Sequence, residues 1–317
     1  MSRLYPSRLL APIAVLALIL AACGGDDAAD DAADDTPDVD VETDAIDVPD
    51  GPTITVASFN FPESEILGEV YATALEATGY PVERELNVGA RELLFPELEE
   101  GGVDLLPEYV GSAIVVGFGE DAPSDLDEGV TTLTELFADL DVTVLEPTPA
   151  ANSNVFVVSA PFAEENDLSS VADLEGLDAT LAGPPECEDR DTCYAGLQSI
   201  YGLDSLAFEA IGEPSARLVA LNEDDAQVIL LFSTDAVLAD ESLVALEEPE
   251  GMIPPENITP VLRTEIVDAY GDDLVDLLES VGSALTTEVL IGFNDEAGQG
   301  VAPATIAEDF LTELGVL

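Results

Sequence analysis

The sequence contains no lysine and no histidine among its 317 residues. Without histidine, acid–base and nucleophilic catalysis would have to rely on carboxylates, serine or tyrosine. Acidic residues are so frequent that a pair of carboxylates carries no information, and neither a G-x-S-x-G nor a P-loop string occurs. These absences argue against an enzyme and against a metal or cofactor site, although a carboxylate-based hydrolase stays open as an alternative.

Basic residues are scarce as a class. The chain has seven arginines against 68 Asp plus Glu, which gives a formal net charge of −61. Such a chain repels nucleic acid and anionic lipid, so neither is expected as a partner. A lysine-free acidic composition is typical of salt-adapted organisms, because a Debye length of about 3 Å at molar salt screens most of the self-repulsion. We therefore expect a halophilic protein that needs salt to stay folded.

Residues 1–22 have the pattern of a signal peptide. Arg3 and Arg8 supply the positive start, and Leu9 to Ala22 is an apolar run too short for a comfortable membrane span. The predicted cut site resembles the bacterial lipobox, which implies that Cys23 is lipidated. Lipid chains, at about 0.8 kcal/mol per buried CH2, would hold the protein on the outer face of the bacterial cell membrane. An ordinary secretory signal with a chance cysteine is the alternative.

The stretch at 23–51 follows directly. After Cys23 it holds twelve acidic residues and neither a basic nor an aromatic one. Such a composition buries too little apolar surface to offset its ordering entropy. We predict a disordered, extended acidic tether between the lipid and a folded part that begins at residue 52. That part is long enough for two domains or one large one.

Cys187 and Cys193 remain once Cys23 is assigned to lipid. They form an even pair in an exported chain, which favours a local disulfide. A metal site is the alternative, but the spacing suits no zinc motif and histidine is absent.

Beyond residue 52 short apolar strands alternate with helical patterns, which predicts an α/β protein with parallel-rich sheets. The clearest helix is Glu63 to Thr78, with apolar residues at helical spacing and a glycine after its end. Further helices are predicted at 91–100, 168–174, 194–201, 213–221 and within 265–287, and strands at 53–57, 82–86, 103–106, 154–159, 179–181, 227–232 and 258–263.

The segment from Ile54 to Gly117 carries a family resemblance. The Asn-Phe after the first strand, the helix ILGEVYA, the string L-x-x-G-x-VD and the motif Pro-Glu-Tyr-x-Gly-Ser resemble the solute-binding subunits of ABC importers for glycine betaine, choline and related osmoprotectants. Later markers follow in the same order, and the resemblance covers nearly all of the chain beyond the tether.

The resemblance implies the class II periplasmic-binding fold, a hinged two-lobed α/β clamp with its ligand in the cleft between the lobes. One lobe would comprise 52–149 plus 246–317, and the other 150–245. It also implies a monomeric receptor that captures a quaternary amine and delivers it to a membrane permease and its ATPase. A binding protein for another small amine or amino-acid-like solute, or a surface lipoprotein without a transport role, remains an alternative.

Several site residues are carried over from the family's motifs. Aromatic rings hold a quaternary ammonium by cation–π attraction, and an arginine suits a carboxylate tail. Tyr109 is the leading cage residue, Phe232 keeps a ring where a tyrosine is usual, and Arg190 is placed to hold a carboxylate. The full predicted set is Asn60, Phe61, Tyr109, Ser112, Asn152, Asn154, Arg190, Phe232, Thr234, Asp235 and Glu256.

Two departures from the family pattern bear on the ligand. Glu256 replaces an expected cage tyrosine, and an aromatic residue expected near Asn154 is missing. Glu256 could neutralise a cationic ligand, which favours an amine without a carboxylate.

Six of these residues also have an interpretation that involves no ligand. Tyr109 and Phe232 could pack in a core, Asp235 could cap a helix, and Arg190 could pair with a neighbouring acid in its own loop. Asn152 and Asn154 could simply turn the hinge.

Overall fold

The structure is a computed structural model and describes residues 48–317. The predicted signal peptide, the predicted lipidation at Cys23 and most of the predicted tether lie outside this range. Across residues 48–317, no helix has the length and apolar character needed to cross a membrane.

Ten strands in this range form two five-stranded sheets. They are β1 (Ile54–Phe59), β2 (Val82–Gly89), β3 (Leu105–Tyr109), β4 (Val142–Val144), β5 (Asn154–Ser159), β6 (Thr180–Gly183), β7 (Ala207–Ala210), β8 (Val228–Phe232), β9 (Leu243–Leu246) and β10 (Ile258–Arg263).

The α-helices pack around these sheets. They are α1 (Pro62–Thr78), α2 (Arg91–Glu100), α3 (Val110–Ser112), α4 (Leu126–Ala138), α5 (Ala160–Asn166), α6 (Tyr194–Tyr201), α7 (Pro214–Asn222), α8 (Thr264–Tyr270), α9 (Asp272–Ser283), α10 (Thr287–Gly298) and α11 (Pro303–Glu313). A π-helix at Ala113–Phe118 and short 3-10 helices at Val171–Leu174, Pro185–Asp189 and Ala236–Ala239 complete the described elements.

The two sheets confirm an α/β fold with two lobes. The first has the order β2-β1-β3-β10-β4 and the second β7-β6-β8-β5-β9. In each, the first three strands pair in parallel and the fourth pairs antiparallel with both neighbours. The sheets are therefore mixed: four of the five strands in each run in the same direction, as predicted, but only half of the pairings are parallel. The physical reason is that each crossing between the lobes brings a strand in from the opposite direction.

The chain passes from the first sheet to the second after β4 and returns after β9. The proposed lobe limits at 149/150 and 245/246 lie in or beside these two passages. Leu246 is the last residue of β9 and pairs with Phe156 in the second sheet. We keep the division into lobes at these residues as a proposal.

Helix α1 shows how the sequence builds the first lobe. Pro62 occupies its first turn, where a missing N–H costs nothing, and Gly79 ends it at a φ of 102°, a conformation that glycine adopts without strain. Its apolar face is buried in the first core with residues of α9, α10 and α11. The helix predicted from Glu63 to Thr78 is therefore confirmed, with a start one residue earlier.

One prediction fails in the second lobe. The helix predicted at 168–174 is only the 3-10 turn Val171–Leu174, and the α-helix of this region is α5. Asp167 ends α5 in the left-handed conformation at a φ of 54°. The side chain of Ser170 then starts the 3-10 turn by a capping box with Asp173. Local capping chemistry therefore overrides the apolar periodicity that suggested a longer helix.

Candidate functional site

A cavity of about 100 Å3 lies where strand ends of the two sheets meet. It is smaller than the roughly 300–1,000 Å3 of drug-sized pockets, so it suits a small solute. Eight of the eleven residues predicted from the sequence line it: Phe61, Tyr109, Ser112, Asn152, Asn154, Arg190, Phe232 and Glu256.

Three aromatic rings form one part of the cavity wall. The Phe61 ring centroid lies 6.0 Å from that of Tyr109 and 6.5 Å from that of Phe232. Phe61 follows β1, Tyr109 ends β3 and Phe232 ends β8, so both sheets contribute. Tyr109 is 5% exposed and packs in the first core while it also lines the cavity. Burial raises the pKa of the Tyr109 phenol well above its usual value, so the hydroxyl stays protonated.

Glu256 lies beside the rings and is held by Ser112. The Ser112 backbone N–H and hydroxyl donate to its carboxylate at 3.0 and 2.8 Å. Burial raises the Glu256 pKa to about 7, although both hydrogen bonds from Ser112 lower it. Gly111 explains how the segments approach so closely, because an added Cβ there would lie 2.3 Å from Pro254 Cγ. A carboxyl group that titrates near neutrality therefore faces the cavity.

Arg190 reaches the cavity from the loop between the two cysteines. Cys187 and Cys193 form the predicted disulfide, with sulfurs 2.03 Å apart, and both line the cavity. Within residues 48–317, the nearest carboxylate to Arg190 is that of Glu92 on α2, at 3.7 Å, rather than an acid of its own loop. The buried Nε of Arg190 has no hydrogen-bond partner among residues 48–317. Arg190 thus retains hydrogen-bonding capacity.

Two asparagines line the same cavity. Asn152 Nδ2 donates to Glu63 at 2.8 Å, whereas its buried Oδ1 has no partner in the described part of the chain. Asn154 Nδ2 donates to the carbonyl of Thr192 at 3.0 Å, which ties β5 to the disulfide loop. Asn152 therefore offers a free acceptor, and Asn154 shapes the wall.

The other three predicted residues do not line the cavity. Asn60 is exposed, and its backbone N–H donates to Gly89 at 3.1 Å. Thr234 is fully buried next to Glu63. The Asp235 carboxylate accepts from the Phe232 N–H at 2.9 Å and makes no capping bond to the following 3-10 helix. Thr234 and Asp235 therefore support the segment that carries Phe232.

Buried arginines surround the site. Arg91 forms a bidentate ion pair with Glu108, with N–O distances of 2.5 and 2.8 Å. The Arg91 guanidinium also lies 4.8 Å from the Phe59 ring centroid. Arg217 lies 5.8 Å from the Phe232 centroid and donates to the Leu230 carbonyl at 2.6 Å. Within residues 48–317, no carboxylate lies within ion-pair distance of Arg217.

Sequence reasoning did not single out Glu63 or the disulfide-loop neighbours Glu186 and Thr192. Glu186 and Thr192 line the cavity. Buried Glu63 accepts hydrogen bonds from two residues of the cavity wall, Tyr109 and Asn152. Proximity to Phe61 in the Asn-Phe motif was the available signal for Glu63. Among 68 acidic residues, that signal is too weak to use.

Comparisons with known proteins agree with this geometry. A family model for the substrate binding domain of the ABC-type glycine betaine transport system matches residues 52–313. Glycine betaine-binding protein YehZ of Escherichia coli (strain K12) is 26% identical over 268 residues, covering 80% of this chain and 88% of YehZ. The ergothioneine transport permease/ergothioneine binding protein EgtU of Helicobacter pylori (strain G27) is 23% identical and covers 83% of this chain, which spans about half (48%) of EgtU.

Solved structures share the fold. A glycine betaine/carnitine/choline ABC transporter structure has a TM-score of 0.68 at 22% identity, covering 83% of this chain and 99% of that one. Lactococcal OpuAC, in its closed conformation with glycine betaine, has a TM-score of 0.60 at 16% identity, and the match covers 83% of this chain and 96% of OpuAC. These likenesses show the two-lobed α/β fold of periplasmic binding proteins.

Proposed function

This chain belongs to the family of substrate-binding domains of ABC-type glycine betaine transport systems and is a solute-binding receptor of an ABC transporter; we propose that its solute is glycine betaine, choline or a related quaternary amine. The observation that carries the proposal is the cavity in which Phe61, Tyr109 and Phe232 come together. A quaternary ammonium has no N–H to donate, so aromatic faces are its natural partners, at about 2 kcal/mol or more when desolvated.

Charged groups of both signs support a solute that carries both charges. Glu256 and Arg190 line the same cavity, and Arg190 has a buried N–H without a partner among residues 48–317. Ionised Glu256 would attract the ammonium end, and the Arg190 guanidinium would bond a carboxylate end. The sequence alone favoured an amine without a carboxylate. The arrangement of both groups in one cavity instead makes a betaine-type zwitterion our first choice and choline our second.

The cage would use three rings rather than a fuller set. Glu256 supplies charge where the family pattern has a tyrosine, and Asn154 stands where an aromatic residue was expected. Fewer rings give less cation–π attraction, and a nearby carboxylate compensates for that loss electrostatically.

The proposed cellular setting follows from the N-terminal sequence and the family. We propose that lipid on Cys23 holds the receptor on the outer face of the membrane and that residues 24–51 act as its tether. The monomeric receptor would deliver its solute to a permease driven by an ATPase. The family match supports the permease partner, and the sequence pattern supports the anchor.

A binding screen tests the proposed solute. Thermal unfolding in high salt would be followed with glycine betaine, choline, carnitine, proline betaine, ectoine and ergothioneine, each added separately. A ligand that binds only the folded state stabilises it by RT ln(1 + [L]/Kd). We expect a quaternary amine to raise the melting temperature most.

The variant Phe232→Leu should lose most of this stabilisation, because it keeps apolar bulk and removes a ring. The matched control is Phe162→Leu, which removes another half-buried ring of the second lobe outside the cavity. Stabilisation by none of the six solutes would contradict the proposed ligand class. Stabilisation by ectoine alone would instead support the alternative of a different small solute.

A further inference from the structure

Glu63 is a buried carboxylate outside the cavity wall. It lies in the first turn of α1 and is 3% exposed. No arginine of residues 48–317 lies within ion-pair distance of it. A buried carboxylate without a cation is costly unless hydrogen-bond donors take the place of water. The stability of the buried Glu63 carboxylate therefore depends on the hydrogen-bond donors around it.

Four side chains donate to this carboxylate. The Tyr109 hydroxyl and the Asn152 amide donate to Oε1, both at 2.8 Å. The Thr234 hydroxyl and the Asn294 amide donate to Oε2, at 2.6 and 2.8 Å. Each oxygen thus accepts from one hydroxyl and one amide. The start of α1 adds a favourable dipole for a negative charge.

The donors come from separate parts of the fold. Tyr109 ends β3 of the first sheet, and Asn152 lies in the first passage between the lobes. Thr234 follows β8 of the second sheet, and Asn294 lies on α10 and also donates to the Thr234 carbonyl at 3.2 Å. The Glu63 carboxylate is therefore the point at which both lobes and a passage between them meet.

This arrangement links Glu63 to the solute. Two of its donors, Tyr109 and Asn152, line the cavity, and a third, Thr234, is two residues from Phe232. Because Tyr109 and Thr234 belong to different lobes, a movement that separates the lobes would pull one of these donors away from the carboxylate. The cost of stripping the carboxylate of donors then opposes any movement that separates them.

We propose that Glu63 is a positioning residue: it holds the two lobes in the solute-binding arrangement and orients Tyr109 and Asn152 in the cavity wall. The inference deepens the proposed function and rests on it for its link to solute affinity. It makes Glu63 a determinant of affinity without direct contact with the solute.

The variant Glu63→Gln tests this role because it keeps the shape and removes the charge. A glutamine has one acceptor oxygen and one NH2 group. Since each oxygen of Glu63 accepts from an asparagine amide, the NH2 group of glutamine faces an asparagine NH2 in either orientation. At least one of the two asparagine side chains must therefore reorient. Glu65→Gln is the matched control, a half-buried glutamate of the same helix without a side-chain hydrogen bond in the described structure.

Two measurements report the result. Calorimetric titration with glycine betaine and with choline gives the affinity, and spin labels at Glu135 on α4 and Ser199 on α6 give the distance between the lobes. Both label sites are exposed. We expect Glu63→Gln to weaken binding at least tenfold and to broaden the distance distribution in the absence of solute. Glu65→Gln should change neither.

The outcomes separate this inference from the proposed function. If the unaltered protein binds neither solute, the proposed ligand class fails, and the distance distribution without solute still decides the role of Glu63. An unchanged distribution in Glu63→Gln would overturn the inference, and so would an unchanged affinity in a protein that binds. If Glu63→Gln does not fold, Thr234→Val removes one donor from the second lobe with little change of shape and is judged by the same two measurements.

Discussion

The two lobes have the same strand order and direction but differ in how their buried arginines are paired. Both sheets place three parallel strands beside a fourth, antiparallel one that adjoins a passage between the lobes. In the first lobe, Arg91 is fully engaged by Glu108. In the second, among residues 48–317, Arg190 lies 3.7 Å from its nearest carboxylate, and Arg217 donates only to carbonyl oxygens while its buried Nε has no partner.

The difference indicates which charges serve the fold and which remain available to a solute. A buried pair such as Arg91–Glu108 is already neutral and gains nothing further from a ligand. Arg190 retains an unpartnered N–H beside the cavity within the described structure. Because the chain has a net charge of −61, positive groups are rare, and one beside the cavity can select a solute that carries a negative charge. Three experiments test the contrast.

The largest effect is expected from the first lobe. Glu108→Gln leaves the buried Arg91 guanidinium without its counter-charge, and breaking such a pair costs about 3–5 kcal/mol of folding free energy. Urea unfolding at constant high salt measures the loss. The control is Glu76→Gln, which weakens the more exposed pair with Arg84 at a cost of under about 1 kcal/mol. Equal small losses in both variants would refute the distinction between the two kinds of pair.

Part of this site could be predicted from the sequence. The motif around Tyr109 and Ser112, the segment with Glu256 and the cysteine pair converge on one cavity, because family motifs mark the loops at strand ends. The alternation of strands and helices predicted the fold class for a similar reason. The strands and helices that were predicted correctly carry local patterns of apolar residues.

Other features depend on contacts that local patterns do not encode. Glu63 resembles any glutamate at a helix start, and only the meeting of four distant segments makes it a buried acceptor. Asn60 belongs to the same motif as Phe61 but is exposed and does not line the cavity, because β1 ends at Phe59 and the two residues lie in the bend that follows it. The direction of the fourth strand in each sheet likewise depends on how the chain crosses between the lobes.

A middle-sized effect is expected from the second lobe. Arg190→Gln removes the positive group that we assign to a solute carboxylate. Hydrogen bonds to charged groups contribute about 1.5–3 kcal/mol, so affinity for glycine betaine should fall roughly ten- to a hundredfold. Affinity for choline, which has no carboxylate, should change little. Calorimetric titration of both solutes measures the ratio, with Arg84→Gln as a control outside the cavity. An equal loss for both solutes would show that Arg190 only shapes its loop.

The smallest effect concerns the pH dependence at Glu256. Its pKa in the folded protein is about 7, against an ordinary value of 4.5, and burial is the main cause. Between these values the folded state binds more protons than the unfolded state, so this group's contribution to stability falls as pH rises from 4.5 to 7. Binding of a permanent cation has the opposite dependence, because it favours the ionised form.

Choline affinity should therefore rise up to about tenfold from pH 6 to pH 8, as the ionised fraction of Glu256 grows from about a tenth to about nine tenths. Choline keeps its charge throughout this range, and the chain has no histidine to titrate within it. Of the other ionisable groups that line the cavity, the Tyr109 phenol keeps its proton because burial raises its pKa, and an arginine such as Arg190 does not lose its proton in proteins. Among residues 48–317, Glu186 is the other carboxylate in the cavity lining, and Glu186→Gln provides the control. Glu256→Gln should give a flat profile. A profile that keeps its slope in Glu256→Gln would show that ionisation of Glu256 does not control choline affinity.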